Sequence, residues 1–387
     1  MLKFSKQTIN KSDIKVVNKV LNSEYLTQGP KTEEFEKKLK NFTGAKYSIA
    51  VNSASSALLI SCMALGLKKN DVIWTVPNTF AASANSVLLS GQKLDFVDID
   101  HNSWNISIKE LKKKLLIAKL KKKLPKALVV VHLAGLPVNP IELKILSRKY
   151  KFFIIEDASH SIGAKYYNKK VGSCQWSDLC VFSFHPVKII TTGEGGSVLT
   201  NSKKLYEKML LFKNNGITKN PKNFKNKNLG PWYYEQQMIG YNFRMSDIQA
   251  ALGINQLKRI GEMLKKRNKI AQIYKKELSN LPISFQKVSN NFYSSYHLFI
   301  IKLITNKKNL HKKLFMFLRK NKIFVNLHYM PLHLNPFYKK FGYKIGDYPN
   351  SEDYGNKALS IPIYPNLKKK EQLKVVSLLK KFFYDKK

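Results

Sequence analysis

The chain contains 387 residues, of which 44% are hydrophobic and 12% aromatic, so it can bury a large core and is long enough for two domains. Its net charge of +43 is of the kind that attracts nucleic acid, membrane surfaces or small anions. The lysines are spread along the whole chain and no nucleic-acid recognition motif is present, so a compositional bias explains the charge equally well. We do not expect nucleic acid as a partner.

Export and membrane insertion are not expected either. No apolar run approaches the roughly 18 to 20 residues that span a bilayer, and the first residues lack the apolar core of a signal peptide. The cysteines, Cys62, Cys174 and Cys180, are odd in number and have no metal-type spacing. These features predict a cytoplasmic protein that does not bind membranes.

Short β-type runs alternate with helical patterns over residues 46–215. The predicted strands are 47–51, 71–76, 94–97, 127–132, 152–156 and 178–184. The predicted helices include 55–65, 79–89, 108–120 and 141–150. This alternation is typical of an α/β domain with a mainly parallel central sheet covered by helices on both faces. A ligand site is expected beyond the carboxyl ends of the strands.

The C-terminal part predicts a second, smaller α/β domain. An amphipathic helical pattern continues to about residue 278, and strand patterns cover 297–304 and 323–329. Further helices are predicted over 310–321 and from about residue 370. We therefore divide the chain into a large domain, 1–245, and a smaller domain, 246–387, that begins with a linking helix.

One lysine is distinguished by its neighbours. The stretch SFHPVK at 183–188 ends a predicted buried strand, and GEGG at 193–196 reads as the turn into the next one. Lys188 therefore lies in a connection between strands. In a partly dry cleft the pKa of its ammonium group falls, and the neutral amine can attack a carbonyl to form a Schiff base. The alternative is a solvated surface lysine.

Three further places suit a phosphorylated aromatic cofactor. At 52–58, NSASSAL, small hydroxylated residues open a helix whose first N–H groups can hold a phosphate, although such serines also act as plain helix caps. Asp157 ends a buried strand, where it can pair with a protonated pyridine nitrogen or cap a turn. Phe80 can cover a flat ring or belong to the core.

Ser183 adds a second hydroxyl group for the phosphate. Together with Lys188, these places have an order and spacing along the chain that match one cofactor. That cofactor is pyridoxal 5′-phosphate, bound through Lys188.

The histidines do not predict a metal site. His328 and His333 have a spacing that could suit a metal, but no third ligand is near and Pro331 argues against a helix. We expect no metal. His185 is expected to hold its own loop, and His132 to pack or to line the cleft.

Several motifs together are highly specific. They are LTQG at 26–29, NSASSAL at 52–58, EDASH at 156–160, SFHPVK at 183–188, GEGG at 193–196, GYNFR at 240–244 and HYMPLH at 328–333. With them the chain resembles, essentially end to end, the sugar aminotransferases of the DegT/DnrJ/EryC1 family. The resemblance implies the fold type I of pyridoxal-phosphate-dependent transferases, which is similar to that of aspartate aminotransferase.

Within the family, three places are most similar to the transaminases of pseudaminic acid synthesis. They are LTQG, the serine-rich start of 52–58, and His160, where many relatives have glutamine. This likeness implies that a UDP-linked 4-keto-6-deoxy-hexosamine is aminated, with glutamate as donor, to a UDP-4-amino-4,6-dideoxy sugar. Open alternatives are a 3- or 4-aminotransferase for another UDP- or dTDP-keto-sugar, and a non-catalytic regulatory protein of the same fold.

The resemblance also implies roles for particular residues around the cofactor. Lys188 forms the Schiff base and later moves the proton, Asp157 pairs with the pyridine nitrogen, and Phe80 stacks on the ring. His160 hydrogen-bonds near the phenolic oxygen. The residues implied to hold the phosphate are Ala54, Ser55 and Ser183, with Asn242 from a second subunit.

The sharing of Asn242 implies an obligate homodimer. Substrate contacts are implied for Phe4, Glu24, Tyr25, Leu26, Thr27, His328 and Tyr329, some of them across the dimer interface. Relatives that are dehydratases carry histidine in place of the catalytic lysine, so the lysine at position 188 favours transamination.

Overall fold

The computed structural model describes residues 1–226, 230–305, 307 and 309–384. The helices are α1 Lys11–Leu21, α2 Pro30–Thr43, α3 Ala54–Ala64, α4 Ala81–Leu89, α5 Ile108–Leu120, α6 Pro140–Tyr150, α7 Lys203–Lys213, α8 Asp247–Lys258, α9 Ile260–Glu277, α10 Leu310–Lys320, α11 Pro336–Lys339, α12 Pro349–Lys357 and α13 Lys369–Tyr384. None of these helices is both long and apolar enough to cross a membrane.

The strands are short and most of them are buried. They are β1 Tyr47–Val51, β2 Val72–Thr75, β3 Lys93–Phe96, β4 Ala127–Val131, β5 Phe153–Asp157, β6 Lys165–Tyr166, β7 Lys169–Lys170, β8 Leu179–Ser183, β9 Gly196–Thr200, β10 Ile217–Thr218, β11 Glu235–Gln236, β12 Ile283–Phe285, β13 Phe292–Tyr293, β14 Phe299–Leu303 and β15 Ala358–Ile361. The six strands predicted within 46–215 are confirmed, with small shifts at their ends.

The central sheet has the strand order β1–β9–β8–β5–β4–β2–β3. Only β9 runs opposite to the other strands, since it pairs antiparallel with both β1 and β8, while the remaining pairs are parallel. The prediction of a mainly parallel sheet is confirmed. β4 and β8 are buried along their whole length, which explains their continuous apolar sequences.

Parallel strands bring their carboxyl ends to one edge of the sheet. The residues that follow β1, β2, β4, β5 and β8 therefore meet there, although they are far apart in the sequence. Helices α3 and α4 begin at this same edge. The edge thus combines strand ends with helix N-termini, the arrangement in which α/β sheets bind ligands.

A second sheet lies in the C-terminal part, with the order β12–β14–β15 and antiparallel pairing throughout. It shares a hydrophobic core with α9, α10 and α13, in which Leu314, Leu318 and Val375 are fully buried. Leu2 packs into this core as well, and its backbone pairs with Ile323. This part has the predicted α/β composition, while the boundary at 245 and 246 stays a prediction.

Two predicted elements differ from the structure. The expected strand 323–329 is only an extended segment, because it makes isolated bridges from Ile323 to Leu2 and from Asn326 to Ser360 instead of a continuous ladder. Its alternating burial, with Ile323 and Val325 inside, produced the strand-like pattern. The long helical pattern that ends near residue 278 is broken at Arg259, whose ψ of 3° ends α8 before α9 begins.

Gly29 of the LTQG motif lies where the start of α2 contacts the start of α8. It precedes the first residue of α2 and gives that helix no side-chain cap. Asp247, the first residue of α8, supplies the cap instead: it accepts hydrogen bonds from the backbone of Lys31 and from the backbone and hydroxyl of Thr32. A Cβ atom at position 29 would overlap Asp247 and Tyr25.

We expect Gly29→Ala to destabilise the protein by about 1 to 3 kcal/mol, because the added methyl group must displace Asp247 or the backbone beside it. Gly261→Ala is the matched control, since a Cβ atom there meets nothing within 4 Å. Urea unfolding of both variants measures the free energy. Equal stability of the two variants would contradict the close contact at position 29.

Candidate active site

A cavity of about 430 Å³ opens at the carboxyl edge of the central sheet. Nine of the residues predicted from the sequence line it: Ala54, Ser55, Phe80, Asp157, His160, Ser183, Lys188, His328 and Tyr329. They come from four strand ends and from the extended segment 323–329 that follows α10. Residues separated by nearly 280 positions thus form one site.

The other six predicted residues are not among those that line the cavity. Phe4 contacts one residue that lines it, since its ring centroid lies 5.0 Å from that of His328. The segment containing Glu24, Tyr25, Leu26 and Thr27 runs beside the start of α8, where the carbonyl oxygen of Leu26 accepts from Asp247. Asn242 is exposed, and its backbone bridges to Asn214.

The loop that carries Lys188 is fixed by several hydrogen bonds. The backbone N–H of Lys188 donates to the carbonyl of His185 at 2.9 Å, and Nδ1 of His185 accepts from Val187. The hydroxyl of Ser5 donates to the carbonyl of Val187 at 2.8 Å. These contacts hold the backbone of the lysine and of the residues just before it, and its side chain lines the cavity.

Lys188 has an electrostatic environment unlike that of a surface lysine. Burial within the protein lowers its pKa from 10.5 to about 8, and the nearby carboxylate of Asp157 acts in the opposite direction. A substantial fraction of Lys188 is therefore neutral near pH 8. A neutral amine has the free electron pair that attack on a carbonyl requires.

Asp157 is buried at the end of β5 and is held by two serines. Its Oδ2 accepts from the hydroxyl of Ser83 at 2.6 Å, and its Oδ1 accepts from the hydroxyl of Ser159 at 2.6 Å. Sequence reasoning missed both serines. Ser159 had a local signal, because a side-chain contact to the residue two positions earlier is typical of an Asp turn. Ser83 had none, since it reaches Asp157 from α4.

Another part of the cavity is lined by the first turn of α3. Ser53 caps this helix by accepting from the backbone of Ser56 at 3.1 Å. The N–H groups of Ala54 and Ser55 belong to the first turn, where no intrahelical acceptor exists. Strand β9 passes close by, because a Cβ atom at Gly196 would lie 2.5 Å from the backbone nitrogen of Ala54. This part of the cavity suits an anion.

Two histidines and a tyrosine form a further wall. Tyr329 Oη lies 3.2 Å from Nε2 of His160, and Nδ1 of His328 lies 2.8 Å from the hydroxyl of Ser360. Burial, together with the charge of Lys188, lowers the pKa of His328 to about 3. Burial likewise keeps the pKa of His160 well below its usual range. Both histidines are neutral at physiological pH.

Two further histidines have structural partners. His333 is buried and contacts the carboxylate of Glu352 at 3.0 Å, while His132 accepts from the backbone of Val138 at 3.3 Å. Within the described ranges, no cluster of three or more His, Cys, Asp or Glu side chains could hold a metal ion.

The residues of this cavity fit pyridoxal 5′-phosphate. A helix N-terminus with free N–H groups suits the phosphate, a buried carboxylate suits a protonated pyridine nitrogen, and a lysine of lowered pKa suits the aldehyde. Phe80 is 59% exposed, so its ring has an uncovered face at the cavity. The fold and the site define a pyridoxal-phosphate-dependent transferase of fold type I.

Comparison with known proteins gives the family. The model of the DegT/DnrJ/EryC1/StrS aminotransferase family matches residues 7–380. The chain belongs to this family and is a pyridoxal-phosphate-dependent sugar aminotransferase.

Three similar proteins illustrate the relationship. The UDP-4-amino-4,6-dideoxy-N-acetyl-beta-L-altrosamine transaminase of Campylobacter jejuni strain 81-176 is 40% identical over 376 residues, which cover 96% of this chain and 94% of the relative. PseC of Helicobacter pylori, an aminotransferase involved in the biosynthesis of pseudoaminic acid, has a TM-score of 0.90 at 32% identity, with 99% of each chain covered. The sugar aminotransferase Spr1654 of Streptococcus pneumoniae, in its PMP form, has a TM-score of 0.91 at 25% identity, with 100% of each chain covered.

We expect the amine of Lys188 in the cofactor-free protein to become reactive with a midpoint near pH 8. The sign follows from the chemistry: only the neutral amine is acetylated, so the labelling rate rises with pH through the pKa. Trace acetylation with acetic anhydride from pH 6 to 11, followed by mass spectrometry of the Lys188 peptide, measures this midpoint.

Two controls accompany this titration. The exposed Lys203 in the same samples reports how the reagent itself responds to pH. In Asp157→Asn the opposing carboxylate charge is absent, so the midpoint of Lys188 should move to lower pH. A Lys188 midpoint near 10.5, the ordinary lysine value, would show that burial does not tune this amine.

Proposed function

We propose that this aminotransferase transfers the amino group of glutamate to C4 of a UDP-linked 4-keto-6-deoxy-hexosamine. The product is a UDP-4-amino-4,6-dideoxy sugar for pseudaminic acid or surface glycan synthesis. The reaction takes place in the cytoplasm on a homodimer whose two active sites are shared between the subunits.

The observation that carries the proposal is the placement of Lys188 and Asp157 in one cavity that the first turn of α3 also lines. This geometry supports an aminotransferase site but does not select a sugar. The substrate is proposed from the relative in Campylobacter jejuni, whose name specifies a UDP-linked amino sugar, together with the LTQG motif, the serine-rich helix start and His160.

Lys188 performs the proton transfer in this proposal. Its Nζ, once free, takes the proton from the α-carbon of the amino donor, and in the second half-reaction it returns a proton to C4 of the sugar. A pKa of about 8 suits both directions, since neither the acid nor the base form is scarce near neutral pH. The bound pyridoxal phosphate supplies the electron sink that makes the carbon acidic.

Asp157 and the phosphate-binding residues position the cofactor. The carboxylate of Asp157 would accept the hydrogen of the pyridine nitrogen, and its two serine partners keep it oriented. Ala54, Ser55 and Ser183 would hold the phosphate, and Phe80 would cover one face of the ring. His328 and Tyr329 are proposed to contact the sugar, as is Phe4, whose ring lies 5.0 Å from that of His328. Further sugar contacts are proposed for Glu24, Tyr25, Leu26 and Thr27.

The sugar is tested directly with purified protein and a panel of UDP- and dTDP-linked 3-keto and 4-keto sugars, with glutamate as donor and mass spectrometry of the products. We expect an added amino group on the UDP-linked 4-keto-6-deoxy-hexosamine and slower turnover of the others. Faster amination of a dTDP-linked sugar, or amination at C3, would replace the proposed substrate.

The same assay tests the lysine. Lys188→Ala should abolish both the visible absorbance of the bound cofactor and the transamination, because no other lysine lines the cavity among the described residues. Lys203→Ala, at an exposed lysine of α7, is the matched control and should leave both unchanged. An unaltered spectrum with full turnover in Lys188→Ala would disprove the central role of Lys188.

Asn242 is proposed to reach the phosphate of the partner subunit, in keeping with its exposed position away from the cavity of its own chain. Mixed dimers of Lys188→Ala and Asn242→Ala then contain one site with both residues intact. We expect each mixed dimer to have up to about half of the turnover of an unsubstituted dimer, because one of its two sites is intact. Dimers of either variant alone should stay impaired. Verified mixed dimers without recovery would place Asn242 outside the shared site.

A further inference from the structure

Helices α5 and α6 lie beside each other on one face of the central sheet. Both pack on the same hydrophobic core through their inner residues, among them Leu111 and Leu115 of α5 and Leu146 of α6. An ion pair of 2.8 Å between Lys112 and Glu142 joins the two helices. Their outer sides therefore form one surface, which we call the α5–α6 face.

This face carries large apolar side chains in contact with solvent. Leu116 and Leu120 are 55% and 85% exposed, and Ile117 is 54% exposed. Because they are four residues apart, Leu116 and Leu120 lie on the same side of α5. Ile145 of α6 is 59% exposed. Single exposed apolar residues are ordinary on a protein surface, but four of them on two adjoining helices are typical of an interaction site.

Unpaired positive charges surround these apolar side chains. The exposed basic residues are Lys119, Lys121, Lys122, Lys123, Arg148 and Lys149. The two helices contain only two carboxylates, those of Glu110 and Glu142, and these pair with Lys113 and Lys112. The six basic residues therefore have no acidic neighbour on their own helices, and the face attracts anions.

Helix α9 shows that an abundance of lysine does not by itself produce such a face. Its 18 residues also include exposed lysines, namely Lys265, Lys266, Lys269 and Lys276. Every large apolar residue of α9, however, is buried or half-buried. The lysine-rich composition explains the outer side of α9, whereas the exposed leucines of α5 need another explanation.

The combination of aliphatic side chains and unpaired cations fits an anionic lipid surface. Aliphatic side chains enter the boundary between headgroups and acyl chains, and lysines attract acidic headgroups. A second copy of the chain fits less well, because two faces of the same charge repel each other. Nucleic acid also fits less well, because these apolar side chains include no aromatic ring on which a base could stack.

The position of the face is compatible with the candidate active site. Lys121, Lys122 and Lys123 lie between the end of α5 and the start of β4, whereas the cavity opens at the carboxyl edge of the sheet. Helix α7, beside which Asn242 lies, belongs to the core on the opposite face of the sheet. Contact with a lipid surface thus leaves the cavity and the surroundings of Asn242 free.

We propose that the α5–α6 face binds the surface of an anionic lipid bilayer and holds this aminotransferase there as a peripheral protein. Leu116, Leu120 and Ile145 enter the headgroup region, and the six basic residues contact acidic headgroups. This revises the expectation from the sequence that the protein does not bind membranes, which considered only export and spanning segments. The inference depends on neither the identity of the sugar nor the sharing of Asn242.

Binding is tested by flotation of the purified, cofactor-loaded protein with vesicles of phosphatidylcholine, with and without phosphatidylglycerol. We expect the protein to float only with the vesicles that contain phosphatidylglycerol, and to float less as the NaCl concentration rises, because salt screens the attraction. No flotation with either kind of vesicle, or equal flotation with both, would overturn the proposal.

The role of the charges is tested with two triple variants that lose the same net charge. The first carries Lys119→Gln, Lys121→Gln and Lys123→Gln on α5. The second, the matched control, carries Lys265→Gln, Lys269→Gln and Lys276→Gln on α9. We expect the α5 variant to bind about 100-fold more weakly, since each lysine near an anionic surface contributes about fivefold, and the α9 variant to bind almost normally. Equal losses would assign the binding to net charge and refute the proposed face.

Insertion of the apolar side chains is tested with a fluorescent label on the otherwise unsubstituted chain. The native cysteines are buried, so Leu120→Cys supplies one accessible thiol for an environment-sensitive dye. Its emission should shift to shorter wavelength on addition of anionic vesicles, while the same dye on Gln272→Cys of α9 should not respond. Flotation without a response at position 120 would show that another face makes the contact. This test retains every lysine, so it decides the proposal even if the α5 lysine variant does not fold.

The double variant Leu116→Ser, Leu120→Ser distinguishes the other occupants. We expect it to bind anionic vesicles about tenfold more weakly and to keep the oligomeric state of the unsubstituted protein in light scattering. A smaller assembly would assign the face to a second copy of the chain. Tighter binding of poly(U) RNA than of anionic vesicles, unaffected by the two serines, would assign it to nucleic acid. Either result would overturn the proposal.

Discussion

The candidate active site depends on the opposition of two effects at Lys188. Burial lowers the pKa of its ammonium group to about 8, and the nearby carboxylate of Asp157 limits that fall. An exposed lysine stays charged at neutral pH, and a buried lysine without a nearby carboxylate loses its proton at a much lower pH. The combination of burial and the carboxylate is what gives Lys188 its intermediate pKa. The sheet brings these two residues together, because Asp157 ends β5 and Lys188 follows β8. These strands are parallel neighbours, and their carboxyl ends lie at one edge of the sheet.

Other residues of the site also contribute to its electrostatics. Asp157 keeps its orientation through Ser83 and Ser159, and the first turn of α3 places positive dipole ends in another part of the cavity. The histidines along the wall are neutral because they are buried. They can therefore orient donors without adding charge beside Lys188.

The central sheet and most of its helices were predictable, because buried parallel strands and amphipathic helices leave distinct patterns in the sequence. The segment 323–329 was not, since alternating burial of Ile323 and Val325 resembles a strand whether or not a partner ladder exists. The break at Arg259 was also missed. At this break Arg259 pairs with the buried Asp13, a tertiary contact that no local pattern records.

The sequence by itself determined the cofactor, the family resemblance and nine residues that the structure gathers in one cavity. It could do so because each motif follows a strand, and strand ends of a parallel sheet must meet. Only the tertiary structure decided how those residues are held. Ser83 comes from α4 to orient Asp157, and the backbone N–H of Ala134 donates to Nδ1 of His160. Such contacts join distant segments through geometry, so sequence spacing carries no trace of them.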